Sequence, residues 1–70
     1  MNRITKEQAK TFYENLCKAF NGSASKTCQG VASVALIAQR MEIPIVDADR
    51  YCTAMLYYGV TERQSGRIVI

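Results

Sequence analysis

Residues 34–70 read VALIAQRMEIPIVDADRYCTAMLYYGVTERQSGRIVI, and the order of elements in this stretch decides the fold. Its apolar start predicts a short helix over Val34 to Met41. Pro44 stops that helix, because it has no N–H to donate and it disfavours helical backbone in Ile43 before it. A second helix follows at once over 47–58, with Asp47 placed to cap it. Ala48, Tyr51, Cys52, Met55 and Tyr58 keep the spacing of a helix with one buried face. Gly59 ends this helix, and a short run of alternating residues closes the stretch as a hairpin.

Outward from there, Thr5-Lys6-Glu7-Gln8 is a capping box: Thr5 can accept from the backbone N–H of Gln8, and Gln8 can reach back to Thr5. The helix it opens carries Ala9, Phe12, Tyr13, Leu16 and Phe20 on one stripe, with Lys6, Lys10, Glu14 and Lys18 outside it. That stripe is core. Asn21-Gly22-Ser23 stops the helix. Residues 23–33, SASKTCQGVAS, admit two readings. Ser25 caps a long helix running on to Met41, or Gly30-Val31-Ala32 is a short extended piece and Ser33 caps a shorter helix.

The closing hairpin also has two registers. A two-residue Ser65-Gly66 turn pairs Gln64 with Arg67 and sets Glu62 beside Val69. A three-residue Gln64-Ser65-Gly66 loop uses Gly66 at the left-handed position such loops need. It pairs Arg63 with Arg67 and Val60 with Ile70. The longer loop is preferred because it gathers Val60, Ile68 and Ile70 on one face, with Thr61, Arg63, Arg67 and Val69 on the other. Opposed arginines repel, and a phosphate held between them would turn that cost into two charge-assisted hydrogen bonds.

Seventy residues make one domain, 1–70, near the lower limit for a chain that folds without staples. Hydrophobic residues are 49% of the chain, so a folded core is expected, although a thin one. Cys17, Cys28 and Cys52 cannot all pair within one chain, and their spacing fits no zinc pattern. Reduced thiols in a cytoplasmic protein are the expectation, with no metal and no cofactor. Charged residues interrupt the N-terminus, and no apolar run approaches the roughly 20 residues that span a membrane. A soluble protein with no membrane partner is therefore expected. The net charge of +3 is compatible with nucleic acid without demanding it.

Helix, tight turn, helix and hairpin, in that order, resemble the winged helix-turn-helix family. Ile37-Ala38 falls where the family tends to have Leu-Ala, Ile43 falls at the turn, and Ala48, Tyr51, Cys52 and Met55 follow in register with Gly59-Val60. The match is one of spacing and covers a little over half the chain. It implies a mainly α domain of three helices with a C-terminal two-stranded wing, and it favours the short strand before the Ser33 cap. It also implies double-stranded DNA as partner, in a transcription regulator of the small bacterial, phage or plasmid type.

On that resemblance the 47–58 helix enters the major groove. Arg50, Thr53 and Tyr57 lie at i, i+3 and i+7, away from the apolar stripe. Arg50 would meet guanine O6 and N7, and Thr53 a phosphate or a thymine methyl. Val46, at the helix entrance, would touch thymine methyls. Arg63 and Arg67 on the wing would hold phosphates, Gln39 and Arg40 would touch the backbone, and Lys26 and Arg3 would add contacts. So few phosphate contacts imply a homodimer or cooperative binding.

Asp47 and Asp49 stand at the same end as Arg50, so the surface also suits a protein partner, as in an adaptor, complex subunit or small inhibitor. Catalysis is not expected. The chain has no His, no Gly-rich phosphate loop and no nucleophile-plus-base spacing.

Overall fold

The structure, a computed structural model, describes residues 3–21 and 30–70. The proposed helix stop at Gly22 and Ser23, the Ser25 cap, Lys26 and Cys28 lie outside the described residues. Element order is α1 (Lys6–Asn21), β1 (Val31–Ala32), α2 (Val34–Met41), α3 (Ile45–Tyr57), β2 (Arg63–Gln64) and β3 (Arg67–Val69). The result is a mainly helical molecule with a small antiparallel sheet.

The capping box of α1 closes as expected. Thr5 N–H donates to Gln8 Oε1 at 2.9 Å, and Gln8 N–H donates to Thr5 Oγ1 at 3.1 Å. Ala9, Phe12 and Leu16 are buried, and Tyr13 and Phe20 pack half-buried beside them. Cys17 is buried as well. The stripe is therefore one residue wider than the apolar spacing suggested.

Of the two readings before α2, the short one holds. Val31 and Ala32 are extended, and Ser33 caps α2 by accepting from Leu36 N–H at 3.2 Å. Helix α2 ends on Glu42, whose backbone is left-handed at φ 56° and ψ 46°. Glu42 N–H donates to Gln39 O and Ile43 N–H donates to Ala38 O, which is the Schellman arrangement with glutamate in glycine's usual place.

The start of α3 corrects the sequence reading. The helix spans 45–57 rather than 47–58, and Asp47 does not cap it. Pro44 takes the cap position in extended backbone, φ −60° and ψ 147°, with no side-chain cap. Its carbonyl accepts from Asp47 and Ala48 N–H at 3.0 and 3.1 Å. Proline's fixed φ suits that position, and its missing N–H removes a donor the helix end would leave without a partner. Asp47 consequently lies inside the first turn. At the other end Gly59 (φ 73°) and Val60 close a second Schellman motif, with Gly59 N–H on Leu56 O and Val60 N–H on Met55 O.

The hairpin register is the second correction. Arg63 pairs with Ile68 and Gln64 with Arg67, so the turn is the two-residue Ser65-Gly66 form. Both turn residues are left-handed, φ 54° and 77°, as a type I′ turn requires. The three-residue loop would have set the Glu62 carboxylate opposite Ile68 on the buried face. The observed register sets Arg63 there, whose long stem can lie on apolar surface while its charge stays in water. Thr61 hydroxyl donates to Val69 O, and Val69 N–H donates to Glu62 O, extending the pairing beyond the strands.

The C-terminal β2–β3 hairpin forms as expected and is joined by a third strand. β1 pairs with β3 on its other edge, Val31 with Val69 and Ala32 with Ile68, giving sheet order β1-β3-β2. Ala32, Ile68 and Ile70 then face inward and close a core with Leu16, Cys17, Ile37, Ala48, Cys52 and Met55. Burying each of the larger side chains in this set contributes about 1.5–3 kcal/mol. Among the described residues no helix is long and apolar enough to cross a membrane.

Candidate nucleic-acid interface

Helix α3 is held from behind and left open in front. Ala48, Cys52 and Met55 are buried against α1 and α2. Tyr51 stacks on Phe12 with ring centroids 4.4 Å apart and planes within 6°. At the C-terminal end the Tyr58 hydroxyl donates to Ile4 O at 2.9 Å, tying the segment before α1 alongside α3. These contacts fix the rotation of the helix about its axis. What that rotation exposes is therefore set by packing.

The exposed face carries Arg50, Thr53 and Tyr57, as the i, i+3, i+7 spacing predicts, with Val46 one turn before them. Arg3, Ile4, Asp49, Arg50, Thr53, Ala54, Tyr57 and Tyr58 line an open groove of about 660 Å³. Arg3 is thus brought round to α3, as one of the expected contacts required. Tyr57 is 76% exposed, with its ring edge-on to Tyr58 at 5.0 Å. Ile45, outside the expected 47–58 helix, belongs to the first turn of α3 and is exposed too. The overlooked signal was Pro44, which can serve as a cap itself and so start the helix two residues earlier.

Freed from capping, Asp47 stands 3.8 Å from Arg50, carboxylate oxygen to guanidinium. Both side chains are about half exposed, so solvent screens the pair and it contributes a few tenths of a kcal/mol at most. Its consequence is geometric. The cation on the outer face has an acidic neighbour on the turn below, and Asp49 adds a second exposed carboxylate close by.

The expected arginine clamp does not form as an opposed pair. Arg67 lies opposite Gln64, on the outer side of the sheet with Val69, whereas Arg63 lies opposite Ile68 on the other side. One change of register by a single residue separates them, since neighbouring strand residues point to opposite faces. Arg63 instead stands near α3. The Cys52 thiol is pushed up to about 11, first by burial and then by the nearby Asp49 charge, with Arg63 acting in the opposite direction. Asp49 and Arg63 therefore flank the seam between α3 and the hairpin.

Gln39 and Arg40 are exposed on the last turn of α2. Arg40 lies over the Phe20 ring at 5.0 Å, a cation–π contact that draws it toward α1. Among the described residues no group of three or more His, Cys, Asp or Glu could hold a metal ion. Comparison of the chain with models of protein families, with curated proteins and with solved structures finds no match in any of the three.

Proposed function

We propose that this chain is a winged helix-turn-helix domain that binds double-stranded DNA in transcriptional regulation, with α3 in the major groove and the β2–β3 hairpin beside it. The observation that carries the reading is the rotation of α3. Its apolar side is consumed by the core, and Val46, Arg50, Thr53 and Tyr57 are left together on the opposite side. A tight left-handed turn at Glu42 sets α2 across its start, and the hairpin follows its end. Helix α3 is 13 residues long, or about 20 Å at 1.5 Å per residue, enough to lie along a major groove about 12 Å wide. Arg50 and Thr53 then face base edges, and Arg3 and Arg67 meet phosphates on either flank. Few cations are engaged, so binding by one copy is weak, and a homodimer or adjacent copies supply the rest.

A second reading, a protein partner on the same face, is favoured by one observation: among the described residues Tyr57 is the most exposed of the large hydrophobic side chains, and the acids Asp47 and Asp49 lie on that surface. Exposed tyrosines of this kind anchor protein interfaces.

Fluorescence anisotropy with random-sequence duplex DNA at about 50 and 200 mM salt separates the two readings. DNA binding predicts a steep fall in affinity between the two salts. Arg67→Ala then weakens all sequences alike and flattens the salt slope by about one unit. No binding at the lower salt overturns the DNA reading for this chain.

A further inference from the structure

The first turn of α3 opens with two apolar side chains in water. Ile45 is 55% exposed and Val46 66%, and they are adjacent residues on the end of the helix that leads into the groove on the reading proposed above. Neither supports the core, which is filled from Ala48 onward. The base edges of the major groove display hydrogen-bond donors and acceptors on every pair, but only one apolar group, the C5-methyl of thymine. An aliphatic side chain pressed on a donor or acceptor strips water from it without replacing the hydrogen bond, which is unfavourable. Pressed on a methyl, it buries apolar surface on both sides.

Arg50, one turn further along the helix, does not offset this. Arg50 has Asp47 at 3.8 Å, so one of the charges that could reach a guanine already has an acidic neighbour. The leading contact of this helix is then aliphatic.

Resting on the DNA reading, we infer that Ile45 and Val46 form a thymine-methyl reader, so that the preferred site carries A·T pairs at two neighbouring positions with thymine methyls turned toward α3. Ile45 shares the first turn with Val46 but lies about 100° round the helix from it, so the two side chains meet different base pairs.

The test starts from sites selected from a random duplex library with the full chain. Each thymine of the selected site is replaced in turn by deoxyuridine, which keeps the pairing and removes only the methyl. Wild type should lose about three- to fourfold in affinity at each of two positions and about tenfold when both are replaced. Ile45→Ala and Val46→Ala should each bind thymine and uracil alike at one of those positions while keeping the helical circular dichroism of the wild type. Equal binding of the thymine and uracil sites by wild type, or selected sites without thymine, overturns the methyl reader and leaves DNA binding standing. No binding of any duplex at about 50 mM salt overturns both.

Discussion

The joint between α2 and α3 and the turn between β2 and β3 use the same backbone device with different backing. Each places a non-glycine residue in the left-handed region, Glu42 at φ 56° and Ser65 at φ 54°. At the joint, two helices converge on Ile37, Ala38, Ala48 and Cys52, all buried, and packing holds the strained residue in place. At the hairpin tip nothing is buried: Arg63, Gln64, Ser65, Gly66 and Arg67 are all exposed, and only the ladder and Gly66 hold the turn. The joint is therefore a fixed angle in the molecule, whereas the hairpin tip is held by local chemistry alone.

The largest expected difference between the two comes from deleting side chains. Ile37→Ala should destabilise the fold by about 2–5 kcal/mol, whereas Gln64→Ala should stay within about 0.5 kcal/mol. Urea denaturation measures both. Equal effects would remove the distinction between the two regions.

The seam where they meet should show a pH dependence. The folded Cys52 thiol titrates near 11, above its ordinary value of 9.0, so the unfolded chain loses this proton first as the solution becomes alkaline. The contribution is fully present below about pH 9, and is lost as the pH rises toward 11, amounting to roughly 1–3 kcal/mol. Denaturation midpoints across that range should fall more steeply for wild type than for Cys52→Ala. Parallel slopes would mean the thiol is not held away from water.

The smallest effects concern the strained residues themselves. Glu42→Gly should stabilise the joint by about 0.5–1 kcal/mol, since glycine avoids the left-handed penalty but gains freedom when unfolded. Ser65→Asn should add only a few tenths of a kcal/mol, because Asn-Gly is the preferred type I′ pair. Thermal melts of the two variants compare the turns directly. A larger gain at Ser65 than at Glu42 would show that the hairpin, not the joint, carries more backbone strain.

The same contrast explains what was legible in the sequence. The joint was read nearly whole, because Pro44 interrupts an apolar helix and the stripe from Ala48 to Met55 resumes after it. Its error was local. Pro44 can end one helix or cap the next, and the choice moved Asp47 from cap to first turn and brought Ile45 onto the helix. The hairpin was misread because its two registers differ by one residue while Ile68 and Ile70 face inward in both. The deciding factor was the residue set against Ile68, a Glu62 carboxylate or an Arg63 stem, and that depends on solvation rather than on pattern. The outer face of α3 was legible from helical spacing alone. The nearness of Arg3 was not, because it depends on the Tyr58 hydroxyl reaching Ile4 across 54 positions of sequence.

The chain contains no tryptophan, so its near-ultraviolet emission comes from its four tyrosines. Tyr51 lies flat against Phe12 behind α3, while Tyr57 stands in water on the groove side. Light emitted by Tyr57 therefore carries a record of what covers that side. An occupant can be followed by intrinsic fluorescence, without a label on either molecule, and Tyr57→Phe supplies the blank.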